Sequence, residues 1–175
     1  MANEIKTAIT GLVDQLQDGS VLEEYVGTGN DGEAQVYDHY HPNAFLDGTA
    51  RGAIMVQWVG AAGEVANETC PEKTILPVQA EIDCFWKGTW DDVHDHAESG
   101  EQSLLDLVEA VLTQMRGYLH WDIKASGASS SVIKDWWITS ISTPTEAEIE
   151  GADAYRVTIS VTINVVTDKP YLDTA

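Results

Sequence analysis

Hydrophobic positions along this chain switch between two periods, and the switches mark its elements. In VQAEIDCFW, residues 78–86, Val78, Ala80, Ile82, Cys84 and Trp86 alternate against Gln79, Glu81, Asp83 and the following Lys87. A period of two predicts a half-buried strand, because successive side chains point to opposite faces. The longest alternation is AYRVTISVTINVV, residues 154–166. There Tyr155, Val157, Ile159, Val161, Ile163 and Val165 share one face, and Arg156, Thr158, Ser160, Thr162 and Asn164 the other. AIMVQWVG, residues 53–60, is almost continuously apolar and predicts a buried strand. SVIKDWWITSIS, residues 131–142, is rich in β-branched and aromatic residues and predicts another.

Two segments carry the helical period instead. Ile5, Ile9, Leu12, Val13 and Leu16 fall on one helix face, with Asn3 as cap and Gly19 as stop. Ser99 and Gln102 form an S-x-x-Q capping pattern ahead of a second helix. Its stripe is Leu104, Leu105, Val108, Val111, Leu112, Met115 and Leu119, and its wet face Asp106, Glu109 and Thr113. Between the first helix and the first strand runs a long polar loop, residues 20–52, in which only VLEEYV and AQVYDHY have the look of short strands. TPTEAEIEGAD, residues 143–153, reads as a polar connection, and KASGASSS, residues 124–131, as a small-residue turn or linker. The expected fold is α+β and a single domain over residues 1–175. It has a mainly antiparallel sheet of about four or five strands, with two helices packed on one face. The order is α-β-β-α-β-β, and the last two strands form a hairpin.

Charge changes the picture of the solvent. The chain has 29 Asp and Glu against 9 Lys and Arg, a net charge of −20. The acid is dispersed rather than gathered in a tail, as in Glu23-Glu24, Asp91-Asp92 and Glu146/Glu148/Glu150. Such dispersed acid with depleted lysine resembles the proteins of salt-in halophilic archaea and their viruses, where high ionic strength screens the repulsion. No cluster of Lys or Arg exists to track a phosphate backbone, which argues against sequence-reading DNA binding. The first residues lack a signal peptide's basic region and apolar core, and no apolar run reaches the ~20 residues of a membrane span. Both features lead to the expectation of an intracellular protein. Cys84 lies on the apolar face of its strand and reads as a small core residue. Cys70 and Cys84 make no disulfide framework, and their pairing stays open.

Candidate chemistry is sparse. His39 and His41, and His94 and His96, are spaced H-x-H with Asp38, Asp91, Asp92 and Asp95 beside them, ligand types suited to Zn or Mn. These pairs support the alternative reading, a halophilic metal-dependent enzyme. No G-x-S-x-G or Cys/His signature supplies a nucleophile, and GTGNDG lacks the lysine and the strand-to-helix setting of a phosphate loop. The expectation is therefore no catalytic group, no cofactor and no resident metal. The six tryptophans point elsewhere. Trp136 and Trp137 are adjacent on a strand and cannot both enter one core, so one faces outward. With Trp90, Tyr37 and Tyr40 they are the candidate interface residues, since aromatics mark buried interface centres. The uncharged side of the last strand, Thr158, Ser160 and Thr162, is a further candidate surface.

The order helix, strands, helix, strands, with a long loop after the first helix and a strongly alternating last strand, is similar to the tail terminator (tail completion) proteins of long-tailed viruses. The resemblance spans residues 3–167 and rests on element order, size and composition. With the acid-rich composition, it implies a head–tail joining protein of a virus of halophilic archaea. The resemblance implies a ring, usually sixfold, at the head-proximal end of the virion tail. That ring ends polymerisation of the tail tube protein and binds a neck or head-completion protein. DNA passes its lumen without specific binding, and an acidic wall suits that passage. The 20–52 loop and the 88–98 loop are then the candidates for contacts with tube or neck. The charge itself makes the first prediction: in thermal melts followed by circular dichroism, stability rises strongly from dilute buffer to molar KCl. Equal stability in dilute buffer would refute the halophilic reading.

Overall fold

The computed structural model describes residues 4–18, 20–29, 31–41, 50–61, 65–66, 74–94, 101–116, 132–149 and 151–167. Among these lie three helices, α1 (Glu4–Gln17), α2 (Ser20–Val26) and α3 (Leu104–Arg116). The strands are β1 (Val36–Tyr37), β2 (Gly52–Ala61), β3 (Val65–Ala66), β4 (Thr74–Lys87), β5 (Val132–Ile141), β6 (Thr145–Ile149) and β7 (Ala152–Thr167), and a short 3-10 turn, Trp90–Val93, follows β4. The class is α+β, as the periodicities imply. All strands join one mixed sheet in the order β1-β2-β4-β7-β5, with β3 also on β4 and β6 also on β7. Only β1, which runs parallel to β2, departs from antiparallel pairing.

The centre of the sheet is the β4–β7 pair, in register from Thr74 opposite Thr167 to Lys87 opposite Ala154 without a shift. Its two flanks are broken lines. β2 and β3 lie in succession along one side of β4, and β5 and β6 along the far side of β7. The pairing slips between Trp58 and Gly60 on β2, and between Ile133 and Asp135 and again between Ile138 and Ser140 on β5. Each slip is a bulge that adds twist to an edge.

All three helices pack on one face. Ala8, Leu12 and Leu16 of α1, Leu22 and Val26 of α2, and Leu104, Leu107, Val111 and Met115 of α3 share a core with Ile54, Val56, Val78, Ala80, Ile82, Cys84, Trp86 and the apolar face of β7. α1 and α3 are tied by reciprocal bonds: Gln15 Nε2 donates to the Gln114 carbonyl at 3.3 Å, and Gln114 Nε2 to the Gln15 carbonyl at 2.9 Å. A smaller cluster, Ala53, Met55, Phe85, Ile149 and Ala154, lies on the opposite face. No described helix contributes to it.

The structure corrects several expectations. VLEEYV is helical, because Leu22 and Val26, four residues apart, both enter the core. A helix therefore occupies the start of the stretch read as loop. α3 is capped by Ser103 rather than Ser99: the Asp106 carboxylate accepts from Ser103 N at 2.8 Å and from Ser103 Oγ at 2.9 Å, while Asp106 N donates to Ser103 Oγ at 3.3 Å. With that start, Leu107 is fully buried and Leu105 is 40% exposed, so Leu105 leaves the predicted stripe. TEAEI is a strand, not a connection: Ala147 and Ile149 point to the smaller cluster, and Gly151, at φ 76°, turns the chain into β7. The expected last hairpin exists as β5 and β6 together against β7. Asn3, Ser99, Leu119, Cys70 and residues 124–131 lie outside the described residues.

Asp83, expected on the wet face of β4, is buried. An unpaired carboxylate there would cost several kcal/mol. Gln57 Nε2 donates to its Oδ2 at 2.7 Å, and Thr158 Oγ1 to its Oδ1 at 2.6 Å, so the side chain links β2, β4 and β7. Cys84 behaves as expected of a core residue: it is a free, buried thiol, pushed far up by burial and then by neighbouring Asp83. Thiolate chemistry is closed to it in the folded state.

Candidate interaction surfaces

The end of the sheet where β4 leaves for α3 is pinned by one ion pair. Arg51, just ahead of β2, places its guanidinium 5.4 Å from the Trp86 ring centre, and its Nη2 donates to Asp92 Oδ1 at 2.6 Å and to the Lys87 carbonyl at 3.2 Å. Asp92 also accepts from Thr89 N at 2.7 Å. The Arg51 hydrogen bond first, then the Thr89 backbone, hold its carboxyl below the usual carboxylate range. A lowered folded value stabilises the fold above the ordinary carboxylate range, and that contribution fades as pH falls through the lowered value. Gly88 makes the arrangement possible. At φ 147° it occupies a conformation that disfavours a side chain, and a Cβ would collide with the Asp92 carboxylate and the Arg51 guanidinium.

Beside this anchor an open cleft of about 510 Å³ runs between residues 88–90 and the β6–β7 hairpin. Trp90 stands edge-on to Tyr155 at 5.4 Å and to His94 at 5.1 Å, and Glu146, Glu148 and Asp153 line the far wall. Tyr155 Oη donates to Glu146 Oε1 at 3.4 Å. Among the described residues the cleft offers aromatic rings, carboxylates and the Thr89 hydroxyl, which donates to Asp92 Oδ2 at 3.0 Å.

The histidines do not converge. His39 Nδ1 is 2.6 Å from Asp38 Oδ1, His41 stacks on Tyr37 at 4.2 Å, and the rings of His39 and His41 are 6.0 Å apart. His94 packs on Trp90 at the cleft, while Asp91 and Asp92 belong to the 3-10 turn and Asp92 is committed to Arg51. His96 and Asp95 lie outside the described residues. Among the described residues, no group of three or more His, Cys, Asp or Glu side chains is placed to hold a metal ion.

The predicted interface aromatics separate. Trp136 pairs with Ile163 and packs against the main core, whereas Trp137 pairs with Thr162, on the helix-free face, and is 46% exposed. Trp90 and Tyr40 are each about half exposed. Tyr37 is half-buried, accepting from Gln35 Nε2 at 2.7 Å. The polar side of β7 is less free than expected, since Thr158 is bonded to Asp83 and Thr162 is buried. The sequence reading missed Trp58, 54% exposed, and Val59 beside it. Gln57 before them and Gly60 after them were the signal that β2 leaves the core there. The remaining exposed apolar side chain of this kind on β5 is Ile141.

The chain matches no protein-family model, and no curated protein is significantly similar to it.

The separation of the two tryptophans has a measurable consequence. At molar KCl, Trp137→Asp lowers folding stability by about 1 kcal/mol or less, as a surface change does. Trp136→Asp lowers it by about 3 kcal/mol or more, by removing core packing and burying a carboxylate. Chemical denaturation of both variants reads the difference. Equal losses would contradict the assignment of the two faces.

Proposed function

We propose that this chain is a structural virion protein, a tail terminator of a long-tailed virus of halophilic archaea. It acts as a ring, sixfold by the family pattern, that caps the tail tube, ends its polymerisation and joins it to the neck while DNA passes through. The observation that carries this reading is where the exposed tryptophans stand. Trp58 lies near one rim of the sheet and Trp137 on the other, and sheet rims with large apolar side chains are surfaces that a lone subunit must cover.

The architecture supports the same reading. A mainly antiparallel sheet backed by helices on one face agrees with the element order that suggested the family. A rigid β4–β7 centre suits a part whose work is to hold neighbours in place. A subunit with different patches on two sides builds a closed ring when the rotation from copy to copy closes. The net charge of −20 suits a lumen that must not retain DNA. The His pairs give the metal-enzyme reading no corresponding support, because among the described residues no three His, Cys, Asp or Glu side chains are grouped to hold an ion.

Gold-labelled antibody on virus particles kept in molar salt tests the proposal. The expected label is a single collar at the head-proximal end of the tail. Label scattered along the tube, or inside the capsid, would overturn it.

A further inference from the structure

The registers align the two open rims at one level. Reading across β2, β4, β7 and β5, Val56 stands in line with Ile82, Ile159 and Ile141; Gln57 with Glu81, Ser160 and Ser140; Trp58 with Ala80, Val161 and Ile138; and Gly60 with Gln79, Thr162 and Trp137. β1 covers β2 only at Ile54 and Met55, so no described strand pairs with the outer side of residues 56–61. None pairs with the outer side of β5 either. Among the described residues, then, the outer sides of residues 56–61 of β2 and of β5 lack a strand partner and stand at the same height on opposite sides of the sheet, with the Gly60 carbonyl accepting from Trp58 Nε1 at 2.8 Å.

Strand direction makes them compatible. β2, β4, β7 and β5 alternate in direction, so β5 of one copy laid beside β2 of another again forms an antiparallel pair. Charge then selects the occupant. In a chain with net charge −20, residues 52–61 and residues 136–145 contain no charged residue at all. A second copy, as acidic as the first, packs closely at least cost where neither surface carries acid, because no unpaired carboxylate is then buried in the junction. These stretches also present the exposed apolar side chains Trp58 and Val59 on one rim and Trp137 and Ile141 on the other. Such side chains form the dry centre of an interface. The bulges at Val59 and Thr139 add twist at both rims, which turns each copy relative to the last and opposes flat fibre growth.

We infer that copies of this chain join head to tail by sheet continuation, residues 56–61 of β2 in one copy pairing with residues 137–141 of β5 in the next. The inference rests on the ring reading and specifies its junction.

Val59→Glu blocks one rim and Ile141→Glu the other. Both side chains are half exposed, so each variant keeps the wild-type melting temperature to within a few degrees. At molar KCl repulsion is screened to ~3 Å, and the block comes from burying an unpaired carboxylate in the junction. Mass photometry and sedimentation in molar KCl give the readout. The expected results are an assembled wild type, a monomer for each variant alone, and a two-subunit complex when the variants are mixed, because each still owns one intact rim. A mixture that stays monomeric overturns the inference, as does a variant that keeps the wild-type assembly or a wild type that stays monomeric. If Val59→Glu alone forms a dimer, the junction is a two-fold β5–β5 contact and head-to-tail joining is wrong. An edge-dependent wild-type assembly that grows as an open chain supports the junction and sinks the ring, so the two readings fail separately.

Discussion

The unbroken β4–β7 ladder is the constraint on which everything else in this protein depends. It pairs the two strands whose alternation is strongest, so one register decides both faces at once. On one face it aligns Val78, Ala80, Ile82 and Cys84 with Val157, Ile159, Val161 and Ile163, the floor on which the helices settle. On the other it brings Asp83 opposite Thr158, within reach of Gln57. A slip of one residue would turn the apolar rows to water and strand the Asp83 carboxylate among them. Both flanking lines contain bulges, and the centre contains none. Irregularity is thus kept to the rims, where it does least harm to the core.

The net charge sets a second condition. Acid spread over the surface keeps copies apart and leaves few cations to bind it, and one of them, Arg51, pairs with Asp92. That pair is spent on fixing the turn after β4, beside Trp86 and under Gly88. Polar neutral residues do much of the joining that lysine and arginine do elsewhere: Gln15 with Gln114, Ser103 with Asp106, Asn164 with Asp135 at 2.6 Å. In such a protein the uncharged rims are the exception, and an assembly reading follows from their position in the sheet.

What the sequence made legible were the elements with long, clean periods. β4, β7, α1 and α3 lie where their apolar positions recur, and the adjacency of Trp136 and Trp137 foretold that one would face outward. Short elements escaped for a physical reason. α2 has seven residues and β6 five, too few repeats for a period to stand out; α2 is held by core partners distant in sequence, and β6 by a tight hairpin with the start of β7. The Ser103 cap was hidden by an equally good pattern four residues earlier, and only packing of Leu107 decides between them. Asp83 looked like a surface acid because its two donors, Gln57 and Thr158, come from other strands. The rim at Trp58 was masked by the apolar run in front of it. Its exposure depends on which strands stop short beside β2, which is a property of topology and not of local pattern.

Amide hydrogen exchange in molar KCl, compared between the free subunit and the assembled particle, tests a closed centre with open rims most directly. The account predicts that β4 and β7 amides exchange slowest in both states. Residues 56–61 and 137–141 exchange quickly in the free subunit and become protected on assembly. Rims already protected in the free subunit, or new protection confined to the helices, would contradict it.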